Sequence, residues 1–158
     1  MKNPILEAKS ISKSFGNIKA LDNVDFFLEK GQIHGLLGEN GAGKSSLMNI
    51  LSGIYLPEKG TVTIDGKLIK RLNPDLASSL GIGMVHQEFR LIDSFSIKDN
   101  LTLSKSNIYK NDFDKAFSKY SDIFSLNLNF MTPISKLSVG EKQKVEIMKL
   151  IFNNSSIM

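Results

Sequence analysis

Ile5 to Phe15 and Val24 to Leu28 read as strands, the second with apolar and polar positions alternating, and the polar stretch Asn17 to Asn23 is expected as the connection between them. Gln32 to Leu37 is different in texture. It is a nearly continuous apolar run ending at glycine, the pattern of a strand buried on both faces of a parallel sheet. Lys44 to Leu51 then carries Leu47, Ile50 and Leu51 at helical spacing and stops at Ser52 and Gly53, which predicts a helix. Thr61 to Ile64 and Lys67 to Ile69 flank Asp65 and Gly66, a two-residue turn that closes a hairpin, and Ile82 to His86 is a second candidate for a buried strand.

From Ser96 the punctuation becomes helical. Ser96 with Asp99, and Asn111 with Asp114, place a capping side chain three residues before an acid, and Ser138 with Glu141 repeats the pattern as Ser-x-x-Glu. Residues 96 to 130 are therefore expected to be mostly helical. A last helix, with Val145, Met148 and Ile151 or Phe152 on one face, is expected to run to about Asn153. There is no internal repeat and no low-complexity tract.

Composition narrows the class. The 158 residues are 41% apolar and 23% charged, a globular balance that excludes a disordered or fibrous chain and is long enough for one domain with a real core. The longest apolar or glycine run, Leu80 to Val85, falls far short of the ~18 residues of a membrane span, and Met1 to Ser10 has no signal-peptide core. The expectation is a chain that neither crosses a membrane nor is exported. Absence of cysteine excludes disulfides and thiolate metal sites and suits a reducing cytoplasm. The net charge of +4 comes with only two arginines, Arg71 and Arg90, and with lysines scattered along the chain as on a solvated surface, so no nucleic-acid partner is expected.

The strongest chemistry lies at Gly38-Glu39-Asn40-Gly41-Ala42-Gly43-Lys44-Ser45, which fits G-x-x-x-x-G-K-[ST] between a predicted strand and a predicted helix. Glycines let the backbone fold around a polyphosphate and turn successive N–H groups inward, and the helix start adds its dipole. Lys44 supplies a point charge for the outer phosphates, and the Ser45 hydroxyl is a hard oxygen ligand for Mg²⁺. His34 and His86 fall in predicted strands and read as core histidines.

Other segments line up with one branch of phosphate-loop proteins. Phe15 lies upstream of the loop, Gln87 stands in Val85-His86-Gln87-Glu88, and Leu137-Ser138-Val139-Gly140-Glu141 follows. In this order the sequence resembles the ATP-binding cassette of ABC transporters over nearly its whole length. The wording His86-Gln87-Glu88 and the run from Leu137 to Lys149 look most like ATPases of simple-sugar and nucleoside importers. The resemblance implies an α/β phosphate-loop fold with a β-rich N-terminal part, parallel core strands and a helical lobe. It divides the chain into a nucleotide-binding part at about 1–88, a helical lobe at about 89–135 and a signature helix at 136–153. It further implies ATP and Mg²⁺ as cofactors, catalytic roles for Lys44 and Gln87, and metal ligation by Ser45 and Gln87. Nucleotide contacts are implied for Phe15, Gly38, Glu39, Asn40, Gly41, Ala42, Gly43, Lys44, Ser45, Ser46, Ser138 and Gly140.

Residue chemistry alone leaves some of these open. Phe15 ends a strand, where an aromatic is as much at home packing as stacking on a base. Gln87 could be a polar residue at a strand end, and Ser138 explains itself as an N-cap. Val139 and Glu141 replace the Gly and Gln of the common LSGGQ signature. The resemblance also expects an apolar strand ending in Asp-Glu after the signature helix, with a histidine beyond it. Ile157 and Met158 read as the opening of that strand, and neither Ile64-Asp65 nor Ile92-Asp93 has its position. The chain therefore reads as an N-terminal, truncated part of a cassette. The implied parent is an importer ATPase on the cytoplasmic face of the cell membrane, working with a second cassette, dimeric or fused in tandem, and with membrane permease subunits. A fragment that binds nucleotide without turnover, and a non-transport ABC ATPase acting on nucleic acid or ribosomes, are the alternatives.

Overall fold

The computed structural model describes residues 4–86, 88–103 and 112–158, and the chain divides into two compact units, Met1–Leu80 and Gly81–Met158. The first unit is built on a four-stranded antiparallel sheet of order β2-β1-β3-β4, with β1 Leu6–Phe15, β2 Ile18–Leu28, β3 Lys59–Ile64 and β4 Lys67–Ile69. Register explains its buried face. Leu6 pairs with Ile64 and Ala8 with Val62, so four small or branched apolar side chains sit side by side, all nearly inaccessible. A bulge follows at Ser10, whose φ of 53° carries the chain through the left-handed region, and the Ser10 N–H donates to Asp25 Oδ1 at 2.7 Å. The extra residue shifts the alternation by one, which is why Ile11 rather than Ser10 is buried.

The polar stretch expected as a connection is instead part of β2. The hairpin closes within two residues at Gly16 and Asn17, Phe15 facing Ile18, because Gly16 takes φ 58° without a Cβ penalty. Strand β2 lies at the sheet edge, where Asp22 and Asn23 stay in water. The Asp65-Gly66 hairpin forms as expected, both residues at positive φ, 48° and 73°. So does the helix α1, Lys44–Leu51, with Leu47, Ile50 and Leu51 buried. A further helix, α2 Pro74–Ser79, starts at Asn73, whose side chain accepts the Leu76 N–H at 2.8 Å, with proline at the first helical position.

Residues 32–37 do not form the buried strand their composition predicts. They have no regular structure, and Ile33 and Leu37 are almost fully exposed. A strand needs a neighbour to take its N–H and C=O groups, and among the described residues none pairs with this segment. The Ile82–His86 segment falls short in the same way: its pairing is a single parallel bridge from Ile82 to Ile157, with the Gly83 N–H donating to the Ile157 carbonyl at 2.8 Å. Of the parallel strands expected, that bridge is what the described residues contain.

The second unit is helical: α3 Ile97–Thr102, α4 Phe113–Ile123, a 3₁₀ turn at Ile134–Lys136 and α5 Val139–Phe152. Both capping boxes read from the sequence at Ser96–Asp99 and Ser138–Glu141 are formed. Asn111 lies outside the described residues, and Asp112 takes the N-cap place of α4. Residues 126–130, the end of the span expected to be mostly helical, have no helix. The core gathers Ile97, Leu101, Phe113, Phe117, Ile134, Val145, Met148 and Phe152, so the inward face of α5 is completed by Phe152 and not Ile151. Phe113 sits at its centre, 5.4 Å from Phe152 and 5.6 Å from Phe130 between ring centroids.

Candidate functional site

The loop from Gly38 to Gly43 enters α1 through Gly43, which holds φ 85°. Only glycine fits there. A Cβ would overlap the Ala20 carbonyl oxygen and come within 2.8 Å of Leu21 Cδ2, so the loop crosses β2 at backbone contact distance. Gly41 also has positive φ, 87°, but a Cβ on it would meet open space. The start of α1 has no side-chain cap and no acid in its first turn. Lys44 reaches back across the loop, its Nζ donating to the carbonyls of Gly38 at 2.7 Å and Glu39 at 2.8 Å. Ser45 is exposed and Ser46 half-buried just behind it. An uncapped helix start, a glycine loop and a lysine whose Nζ is held by two loop carbonyls make an arrangement suited to an anion.

Phe15, the last residue of β1, remains 41% exposed. Its ring meets Tyr55 edge to face at 5.2 Å, and Lys13 Nζ stands 5.5 Å from its centroid. A core phenylalanine would be covered; this one is partly exposed beside a second aromatic. Tyr55 and Lys13 carry no sequence signal, since their relation to Phe15 comes from folding alone.

His34 is not the core residue expected. With residues 32–37 unpaired it is exposed, resting edge-on against Phe26 at 5.2 Å and Phe27 at 6.4 Å. His86 is half-buried; burial lowers its pKa, with Arg90 and Lys149 acting in the same direction and Glu146 against them. Gln87 lies outside the described residues. Asp93 is engaged by Lys142 Nζ at 2.8 Å, and Asp65 occupies the β3–β4 turn.

At the start of α5 the Ser138 hydroxyl donates to Glu141 Oε2 at 2.7 Å, the Ser138 N–H donates to the same oxygen at 2.7 Å, and the hydroxyl accepts the Glu141 N–H at 3.4 Å. The hydroxyl first and the backbone N–H second hold the Glu141 carboxyl below its ordinary range. Val139 and Gly140 are exposed, and a Cβ on Gly140 would meet nothing within 4 Å. The helix start is thus open to an approaching group, with its serine closed on its own capping acid. Among the described residues no group of three or more His, Asp or Glu side chains is placed to hold a metal.

The family profile described as "ABC transporter" matches residues 21–158. The chain is 38% identical over 159 residues to the guanosine import ATP-binding protein of Bacillus subtilis, covering 98% of this chain and 31% of that protein. It is 42% identical over 161 residues to the ribose import ATP-binding protein of Caldanaerobacter subterraneus, covering 98% and 32%. Among solved structures, a nucleotide-free ATP-binding cassette from an ABC transporter superposes with a TM-score of 0.81 at 28% identity, over 97% of this chain and 66% of that one. The chain spans about a third of the length of the curated relatives it matches.

Proposed function

The chain belongs to the ABC transporter family, and from that premise we propose that it is the nucleotide-binding part of an importer ATPase, which couples ATP binding and hydrolysis to uptake of a small solute such as a sugar or nucleoside. The solute class rests on the relatives, whose names specify guanosine and ribose import. The observation that carries the reading is the Gly38–Lys44 loop: a glycine-held turn at an uncapped helix start, with Lys44 folded over it.

In this reading the loop N–H groups and the start of α1 hold the phosphates of ATP, and Lys44 exchanges its loop carbonyls for the outer phosphate oxygens. Ser45 and Gln87 hold Mg²⁺, which when bound neutralises charge developing on the transferred phosphoryl group. Oxygen donors completed by phosphate suit that hard cation and need no carboxylate cluster. The exposed ring of Phe15, beside Tyr55, stacks on the base. Ser138 and Gly140 reach the nucleotide of a second cassette, the hydroxyl leaving Glu141 to do so. Permease subunits at the cytoplasmic face of the membrane complete the assembly. No described helix is long and apolar enough to cross a membrane.

Residues 1–158 by themselves supply binding and not turnover in this proposal, because the water-orienting carboxylate of the resembling cassettes comes after the signature helix. The test of the reading is a nucleotide titration with Mg²⁺ of wild type and Lys44→Ala. Loss of a charge-assisted phosphate contact costs about 1.5 to 3 kcal/mol, at least tenfold in affinity. Unchanged affinity overturns the assignment.

A further inference from the structure

Tyr55 lies in the connection from α1 to β3, residues 52–58, which has no regular structure and yet is tied down at both ends. On the helix side the Asn49 carbonyl accepts the N–H groups of Ile54 at 2.8 Å and Tyr55 at 3.1 Å. Gly53, just before them, rests on the backbone of Asn73, where a Cβ would overlap the carbonyl carbon. On the sheet side the Glu58 N–H donates to the Ser12 carbonyl at 2.9 Å, and Glu58 Oε1 accepts the Ser14 N–H at 3.1 Å. Both serines belong to β1, which ends one residue after Ser14, at Phe15.

This bracket sets Tyr55 beside Phe15, ring centroids 5.2 Å apart and planes at 67°, the edge-to-face arrangement in which two aromatic rings attract beyond their burial. Burial itself does not account for the pair. Phe15 is 41% exposed and Tyr55 36%, so neither ring closes a core. A phenylalanine alone at a hairpin end is free to turn about its side-chain bonds, whereas one held against a fixed tyrosine has lost that freedom before any ligand arrives, so ordering it does not weigh against binding. The helix that starts at the Gly38–Gly43 loop thus also places Tyr55, through Asn49.

We propose that Tyr55 is a positioning residue for the base of the bound nucleotide: it holds the Phe15 ring for stacking, and so contributes to the preference of the site for a nucleotide over a polyphosphate without a base. The proposal rests on the role given above to Phe15. Tyr55 acts through its ring and not its hydroxyl, so phenylalanine serves in its place and alanine does not.

The test is a titration of the full-length protein with MgATP and with magnesium tripolyphosphate, in wild type, Tyr55→Ala, Tyr55→Phe, Phe15→Ala and the double alanine variant. Tyr55→Ala is expected to weaken ATP about three- to tenfold, the range of one edge-to-face pair, and to leave tripolyphosphate within about twofold of wild type. Tyr55→Phe should bind ATP as wild type does. In the Phe15→Ala background Tyr55→Ala should weaken ATP no further, because the ring it holds is gone. Equal weakening of both ligands by Tyr55→Ala overturns the proposal in favour of a role in folding the end of α1. Additive losses in the double variant overturn it in favour of direct contact with the base, and a loss shared by Tyr55→Phe overturns it in favour of the hydroxyl. Unchanged ATP affinity in Tyr55→Ala where Phe15→Ala binds more weakly also overturns it; if Phe15→Ala too is unchanged, the role given to Phe15 is wrong and the proposal falls with it. A wild type that binds neither ligand overturns the nucleotide reading itself, and this proposal as well.

Discussion

Gly41 and Gly43 both hold a left-handed backbone, at φ 87° and 85°, yet the structure separates them sharply as sites for alanine. Placing a Cβ in that region costs about 1 to 2 kcal/mol for either residue. At Gly41 nothing lies within 4 Å of the new methyl, so the strain is the whole effect. At Gly43 the methyl overlaps the Ala20 carbonyl and crowds Leu21, which is 4% exposed and has little room to move. Forcing a methyl into such a contact adds about 1 to 3 kcal/mol, so Gly43→Ala is expected to destabilise by about 2 to 5 kcal/mol against about 1 to 2 for Gly41→Ala. The difference isolates the approach of the loop to β2. Urea unfolding of the two variants in the full-length protein, followed by circular dichroism without nucleotide, reads it directly. Equal destabilisation by the two substitutions, or a tolerated Gly43→Ala, would refute the argument that β2 fixes the end of the Gly38–Gly43 loop.

Phe15→Ala should weaken ATP binding by about 1 to 3 kcal/mol, measured by titration, while Phe15→Tyr stays close to wild type; a variant that loses melting temperature but not affinity would return Phe15 to a packing role. Ser138→Arg in the full-length protein should abolish phosphate release and leave nucleotide binding largely intact, and lost binding by the isolated cassette would show that the start of α5 serves its own site or only the fold. Residues 1–158 purified alone should release phosphate far more slowly than a version extended beyond Met158, and equal rates under identical conditions would place a catalytic carboxylate within these residues.

Where pairing was local, the sequence was legible. Ser138 and Glu141 are three residues apart and satisfy each other within one helical turn, Asp65 and Gly66 set their own φ, and the three leucine and isoleucine residues of α1 lie on one face by spacing alone. The motif Gly38 to Ser45 was readable for the same reason, since its glycines, lysine and serine are contiguous. Helix α2 was not expected, although Asn73-Pro74 places an N-cap before proline at the first helical position.

Tertiary structure decided what depends on a partner far along the chain. A strand exists only when another strand takes its hydrogen bonds, so composition over Gln32–Leu37 could announce a buried strand that pairs with nothing among the described residues, and could not announce that β2 begins at Ile18. His34 left the core with the segment that carried it. Glu146 gave no sign of burial, because a glutamate on a helix reads as solvated until another segment lays an amide against it. The motifs were written in neighbouring residues; the attachment of Arg90 to α5 joins positions 56 residues apart, and only folding brings the donor and the acceptor together.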